Sequence, residues 1–337
     1  MSTRNVSSDP PLLSIQGLGV RLPTRHGDVR AVDGVSLTLA RGRTLGLVGE
    51  SGCGKSVLCR ALMGLLPDGA TLTPEAEIVF EGQDLAGLSE SAYRHIRGRQ
   101  IAMVFQDCLS SLNPVMTIGR QIAETLRVHL HMDSRTARDQ AMALLDQVDV
   151  PDPKQRVDYY PHQLSGGMRQ RVATAMAIAC QPVLLIADEP TTALDATVQE
   201  ELLNLLCRLQ EQRQMTMILV THDLSMAARR AHEIAVMYAG GIVEKAPADR
   251  FFGGMRMPYS QALTDCMPRL DAPPHSPLRS IRGQPPDLIR PIQGCAFSPR
   301  CEVAHPLCFS KPPPLLPAAG HPDHWFACWY PLAKGGA

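Results

Sequence analysis

The sequence carries no surplus of charge: Lys plus Arg number 33, and so do Asp plus Glu. A balanced chain sets up no long-range field to gather nucleic acid or anionic lipid, so neither is an expected partner, although local basic patches are not excluded. Long apolar runs are missing too. No stretch approaches the roughly 18 uninterrupted apolar residues that a spanning helix needs, and Met1 to Pro11 has none of the apolar core of a secretory signal. The expectation is a cytosolic chain unless a partner holds it at a membrane. Without an export signal, the ten cysteines of this 337-residue chain read as reduced thiols or metal ligands. Disorder is not the default either. A hydrophobic content of 45% buries a full core, and the length suits one large domain plus an appendage, or two smaller domains.

From Leu12 to about Tyr238, short β-rich runs alternate with helical patterns, the rhythm of an α/β domain around a largely parallel sheet. Thr44–Val48 (TLGLV) and Val183–Ala187 (VLLIA) read as buried strands, the first ending in a glycine-rich turn and the second in two carboxylates. Between them, residues from about Leu109 to Cys180 read as an inserted helical subdomain, broken at Asn113-Pro114 and at Pro151-Asp-Pro153. Asp195 to Arg213 places Val198, Leu202, Leu203, Leu205, Leu206 and Leu209 on one broad helical face. Met215–Val220 and Ile234–Tyr238 follow as strands. Beyond about Pro258 prolines crowd the chain and no long periodic segment appears, so this stretch reads as a separate appendage that a metal staple would help to fold.

Gly49-Glu50-Ser51-Gly52-Cys53-Gly54-Lys55-Ser56 matches G-x-x-x-x-G-K-[ST] between a strand and an apolar helix. Glycines let successive backbone N–H groups converge on phosphate oxygens, and the new helix turns its positive end to the same anion. This spelling assigns Lys55 to the β- and γ-phosphates and the Ser56 hydroxyl to Mg²⁺. Cys53 occupies a variable position and receives no chemistry.

Asp188-Glu189 supplies two acids whose side chains point in different directions. Asp188 is expected to organise Mg²⁺, leaving Glu189 to polarise the attacking water. Alone, such a pair is more often a solvated strand end; the phosphate loop changes that balance. Leu164-Ser165-Gly166-Gly167-Met168-Arg169-Gln170-Arg171 opens a helix with Ser165 as N-cap, a second anion site that by itself is only a capped helix.

These motifs, with Ala187-Asp-Glu189, Ala193-Leu-Asp195 and Thr221-His222, occur in the order and spacing of the ATP-binding-cassette (ABC) ATPases. The chain resembles that family over about Leu12 to Pro258. The resemblance implies a P-loop NTPase fold of the ABC type: a core parallel sheet, a β-subdomain, an inserted helical subdomain and a small Cys-rich C-terminal extension. It implies a nucleotide-binding domain over 12–258 and the extension over 259–337. By it, Gln106 links γ-phosphate and metal to the transmembrane partner, Asp195 belongs to the inter-subunit loop, and His222 contacts the γ-phosphate. It also implies head-to-tail pairing, with Ser165, Gly166 and Gly167 of one subunit closing over ATP held by the other. One departure concerns the base: Arg21 to Ser36 holds no Phe, Tyr or Trp to stack on adenine, leaving Leu22, His26 or Val29 to cover it.

The run from Gln106 to Ile118 resembles the permease-docking segment of the peptide and nickel importer ATPases. Met257-Pro-Tyr-Ser260 is similar to that branch's His-Pro-Tyr-Thr, and Gly294 to Cys301 to its cysteine-rich extension. What this implies is ATP hydrolysis coupled to import of dipeptides or oligopeptides at the cytoplasmic face of the inner membrane. The implied partners are two permease subunits, a second homologous ATPase and an extracytoplasmic solute-binding protein. A nickel or glutathione importer is the alternative, and a non-transport cassette acting on DNA or ribosomes is a further one. Cys295, Cys301, Cys308 and Cys328 are spaced C-x5-C-x6-C-x19-C, unlike the short C-x2-C of common zinc sites. Four thiolates suit a [4Fe–4S] cluster, favoured by the resemblance, or tetrahedral Zn²⁺. Four unrelated buried thiols are the plain alternative.

Overall fold

The computed structural model describes residues 10–107, 111–191, 194–267 and 280–333. In chain order its strands are β1 (Leu13–Thr24), β2 (Gly27–Leu39), β3 (Thr44–Val48), β4 (Thr71–Leu72), β5 (Glu77–Phe80), β6 (Gln83–Asp84), β7 (Ile101–Val104), β8 (Leu184–Asp188), β9 (Thr216–Thr221), β10 (Glu233–Tyr238), β11 (Gly241–Pro247), β12 (Leu316–Ala318) and β13 (His321–Phe326). One sheet is antiparallel, ordered β2-β1-β5-β6 with β4 also on β1. The larger sheet runs β12-β13-β11-β10-β3-β9-β8-β7, parallel from β10 to β7.

The parallel strands read as continuous apolar runs because both faces are covered: every residue of β3, β8 and β9 is buried. Their observed bounds lie at or within one residue of the sequence reading. Val48 pairs with Thr221, and Asp188 with Val220. The chain therefore leaves β3, β8 and β9 along one edge of the sheet, where ligands bind in open α/β sheets.

The helical insertion is built from Ile118–Leu130, Ser134–Gln147, Pro153–Arg156 and Gly166–Ile178. Ile118, Ile122 and Leu126 recur at four-residue spacing and pack with Ala137, Ala141 and Leu145 in one core. Asp133 caps the second helix by accepting from the backbone of Arg135 and Thr136. The expected break at Pro151-Asp-Pro153 takes the form of Asp152 in the left-handed region, φ 47°, followed by Pro153 in the first helical turn. The first residues of the expected insertion, 109 and 110, lie outside the described residues. So does part of the expected docking run, 108–110.

The chain beyond Pro258 differs from its sequence reading. It is no separate appendage: β13 pairs with β11, Glu244 opposite Phe326 and Lys245 opposite Trp325, so two late strands extend the core sheet. The rings of Tyr238, Tyr259 and Phe297 pack with centroids 4.4–5.4 Å apart, placing residues from both sides of the expected boundary in one core. Fully buried Glu244 fastens this region, accepting from the backbone of Arg256 at 2.6 Å and of Met257 at 3.2 Å while meeting His324 Nε2 at 2.8 Å. Among the described residues no helix is long and apolar enough to cross a membrane.

Candidate functional site

The loop from Gly49 to Ser56 leaves β3 and feeds the helix Lys55–Leu62. Gly54 is required twice over: its φ is 107°, and a Cβ there would collide with the carbonyl oxygen of Ala31. Lys55 is buried, and its Nζ donates to the carbonyls of Gly49 at 2.8 Å and Glu50 at 3.0 Å. The ammonium is thus stored inside the loop, 4.0 Å from Glu189 Oε1. Burial pushes the Cys53 thiol up despite Lys55 beside it, so Cys53 stays protonated.

Ser56 Oγ donates to Asp188 Oδ1 at 3.0 Å, bringing together the hydroxyl and carboxylate expected to hold Mg²⁺. Burial is the main cause holding the Asp188 carboxyl above the ordinary carboxylate range; the Ser56 hydrogen bond opposes it and the Glu189 charge adds to it. A buried acid whose charge lacks compensation is a fitting place for a divalent cation.

Glu189 follows β8 with φ 44°, a left-handed conformation that is costly for a residue with a Cβ and turns its carboxylate away from that of Asp188. Its Oε2 accepts from Gln106 Nε2 at 3.2 Å and lies 3.8 Å from His222 Nδ1. Gln106, Glu189, His222 and Lys55 therefore form one cluster. His222 is largely exposed, free to meet a ligand from the solvent side.

The remaining predicted residues lie at two helix starts: Ser165, Gly166 and Gly167 on the helical insertion, and Asp195 on the helix that follows β8. Ser165 caps the helix Gly166–Ile178 by accepting from Met168 N at 3.3 Å, as its position in the sequence implied. A Cβ on Gly166 would touch Leu194, and one on Gly167 would press into Val198. Asp195 caps the helix Ala196–Arg213 through the backbone of Thr197 and Val198. Ala193 of the same motif lies outside the described residues.

Three residues at the loop were not read from the sequence. Tyr259 Oη accepts from the Glu50 backbone at 3.0 Å, and the Arg300 guanidinium grips the Glu50 carboxylate in bidentate fashion, at 2.6 and 2.9 Å. Arg300 also donates to Tyr238 Oη at 3.2 Å. Their sequence signals were indirect: Tyr259 belongs to Met257-Pro-Tyr-Ser260, Arg300 to the Gly294 to Cys301 run, and Tyr238 ends an expected strand. The base-covering candidates share the β1–β2 hairpin, Leu22 opposite Val29 with His26 in the turn between. The tail reaches this hairpin as well, since Arg30 N donates to Leu288 O at 3.0 Å.

Cys295, Cys301, Cys308 and Cys328 line one small cavity of ≈ 10 Å³ with Met257 and Phe297, and Cys295 N donates to Cys308 O at 2.7 Å. They converge without closing on a common point. Among the described residues no three His, Cys, Asp or Glu side chains are arranged to hold a metal ion, so the expected four-thiolate centre is not assembled. Burial pushes the thiols of Cys295, Cys301 and Cys328 up, the last to about 11.

Over 318 residues the sequence is 44% identical to the oligopeptide transport ATP-binding protein OppD of Bacillus subtilis, covering 94% of this chain and 88% of that one. The chain belongs to the ABC transporter ATP-binding proteins. This ABC ATPase is also 45% identical to the dipeptide transport ATP-binding protein DppD of Escherichia coli K12, over 96% of its own length and 98% of that relative's. The ABC transporter family matches residues 32–192, and the family described as oligopeptide/dipeptide transporter, C-terminal region, matches 243–308. Among solved structures, the dimeric post-hydrolysis state of the ATP-binding cassette MJ0796 bound to ADP and Pi aligns with a TM-score of 0.63 at 26% identity. It covers 70% of this chain and 98% of that one. As an ABC ATPase the chain binds ATP and cleaves it to ADP and phosphate.

Proposed function

We propose that this chain is the ATP-hydrolysing subunit of an importer of dipeptides or oligopeptides. The observation that carries the proposal is the cluster of Lys55, Gln106, Glu189 and His222 beside the Ser56–Asp188 pair, at the sheet edge where β3, β8 and β9 end. Full-length likeness to OppD and DppD supports the substrate class.

ATP enters with its phosphates on the Gly49–Ser56 loop, and Lys55 exchanges its two carbonyl partners for the β- and γ-phosphates. Ser56 and Asp188, with Gln106, would hold Mg²⁺, which when bound neutralises charge on the β- and γ-oxygens. Glu189, steadied by the Gln106 amide, orients the attacking water and accepts its proton. His222 reaches the γ-phosphate from the exposed side of the cluster.

Ser165 and Gly166 are exposed at one helix start and Asp195 at another, which supports a second cassette supplying the ATP that Ser165, Gly166 and Gly167 close over. A heterodimer with a homologous ATPase, two permease subunits and an extracytoplasmic solute-binding protein complete the assembly, with this chain peripheral on the cytoplasmic face. The nucleotide-binding domain is assigned to 12–258 and the Cys-rich extension to 259–337, of which 268–279 and 334–337 lie outside the described residues. In that extension the four converging thiols are the support for a [4Fe–4S] cluster or Zn²⁺, which would draw Cys295, Cys301, Cys308 and Cys328 onto itself as thiolates.

Deleting the gene and measuring uptake of labelled dipeptides and oligopeptides tests the whole reading. Loss of peptide uptake, restored by the wild-type gene but not by Glu189→Gln, is expected. Unchanged peptide uptake with loss of nickel or glutathione uptake would transfer the chain to the alternative substrates.

A further inference from the structure

The phosphate loop has a charge problem at its second residue. Glu50 belongs to the loop that receives a polyanion, and its own backbone carbonyl holds Lys55 before nucleotide arrives. An unpaired carboxylate here repels the phosphates and leaves the loop's first turn without a fixed position. The loop's own sequence offers no cation to Glu50 other than Lys55, which is committed to the phosphates.

The cation comes from the tail. Arg300, only 4% exposed at its side chain, spans 250 residues of sequence to make two parallel bonds to Glu50, and Glu50 is 25% exposed. Arg300 is itself fixed by Tyr238 Oη and by the carbonyls of Arg282 at 3.0 Å and Ile281 at 3.4 Å. Planar bidentate pairing of this kind fixes orientation as well as charge, and Lys cannot reproduce it. Tyr259, buried in the same aromatic core, pins the Glu50 backbone. Side chain, N–H and C=O of Glu50 are thus each assigned a partner, two of them from beyond Tyr238.

We infer that Arg300 is a positioning residue for ATP binding: it neutralises Glu50 and sets the first turn of the phosphate loop, making the C-terminal segment part of the nucleotide site. The inference rests on the phosphate-loop reading and adds to it a requirement for the tail. Arg300 adjoins Cys301 and stands five residues from Cys295, two of the residues that line the four-thiol cavity.

The test is MgATP affinity of the full chain by calorimetry, with melting temperature followed in parallel. Arg300→Gln is expected to weaken binding on the order of tenfold while the chain remains folded. Adding Glu50→Gln to that variant removes the unpaired charge and is expected to recover most of the loss, an outcome a general loosening of the tail does not produce. Wild-type affinity in folded Arg300→Gln, or a double variant no better than the single, overturns the clamp. If Arg300→Gln unfolds, Arg300→Lys decides instead: an intermediate loss supports the clamp, and none overturns it. A wild-type chain that binds no MgATP sinks the phosphate-loop reading itself, whereas binding that is indifferent to Arg300 sinks only this inference.

Discussion

Gln106 Nε2 donates to Glu189 Oε2 at 3.2 Å, tying the residue that follows β7 by two positions to the one that follows β8. The bond holds one carboxylate oxygen in place and leaves the other, 4.0 Å from Lys55, facing the expected position of the γ-phosphate. Glu189→Gln keeps this geometry and removes the proposed base. Steady-state hydrolysis by the assembled complex is expected to fall by about 10²–10⁴-fold with ATP binding preserved. Near-normal turnover in that variant would reassign the water-orienting role.

Lys55→Ala acts earlier. It removes the only ammonium stored in the loop and leaves the carbonyls of Gly49 and Glu50 without that donor. MgATP affinity is expected to drop by about tenfold or more, read directly by calorimetry. An unaltered dissociation constant would show that the loop binds through its backbone alone.

Asp188 links stability to acidity. Because burial holds its carboxyl above the ordinary range, the folded chain takes up the proton more readily than the unfolded chain. The penalty for burying its charge is absent below the unfolded pKa and appears as pH rises through the folded one. Asp188→Asn is therefore expected to raise the melting temperature of the nucleotide-free chain at pH 7 by about 2–4 °C, and to abolish metal-dependent hydrolysis. A lower melting temperature at pH 7 would mean that the Ser56 hydrogen bond outweighs desolvation.

Ser165 is an N-cap and, in the proposed assembly, part of a site shared with a second cassette, and the two roles separate experimentally. As an N-cap, its loss to Ala costs about 1 kcal/mol of helix stability, a small shift in melting temperature. As half of a site completed by a second cassette, the same change is expected to lower hydrolysis by the assembled pair far more than it lowers stability. Proportionate losses would leave Ser165 as a cap only.

Metal loading of the tail runs against its thiols' protonation. With Cys328 pushed up to about 11 and Cys295 and Cys301 also raised, metal binding to these three must expel protons. Loading is expected to release acid and to weaken as pH falls, and an anaerobic preparation should show broad visible absorption if the centre is iron–sulfur. Unchanged metal content in all four single Cys→Ser variants would exclude the site.

Uninterrupted apolar runs made β3, β8 and β9 legible, since strands covered on both faces need no polar alternation. β12 and β13 were not. Leu-Pro-Ala and His-Pro-Asp-His-Trp-Phe carry proline and charge, and they form strands because β11 offers an edge to β13, which in turn offers one to β12. The site followed the same division. Local spelling marked Lys55, Ser56, Asp188 and Ser165, each of which belongs to a motif a few residues long, although the Ser56–Asp188 bond joins two such motifs across the sheet. The Arg300–Glu50 pair depends on tertiary packing across the chain, which no local pattern encodes.

The pairing of β13 with β11 also orders events at the ribosome. Roughly 75 residues separate the two strands, and at about 5–20 residues per second several seconds pass before the later strand emerges. Throughout that interval the earlier one presents an unpaired edge, the kind of surface that recruits other chains. Translation arrested in this stretch would release a product with every nucleotide motif present, an open margin and a strong claim on chaperones.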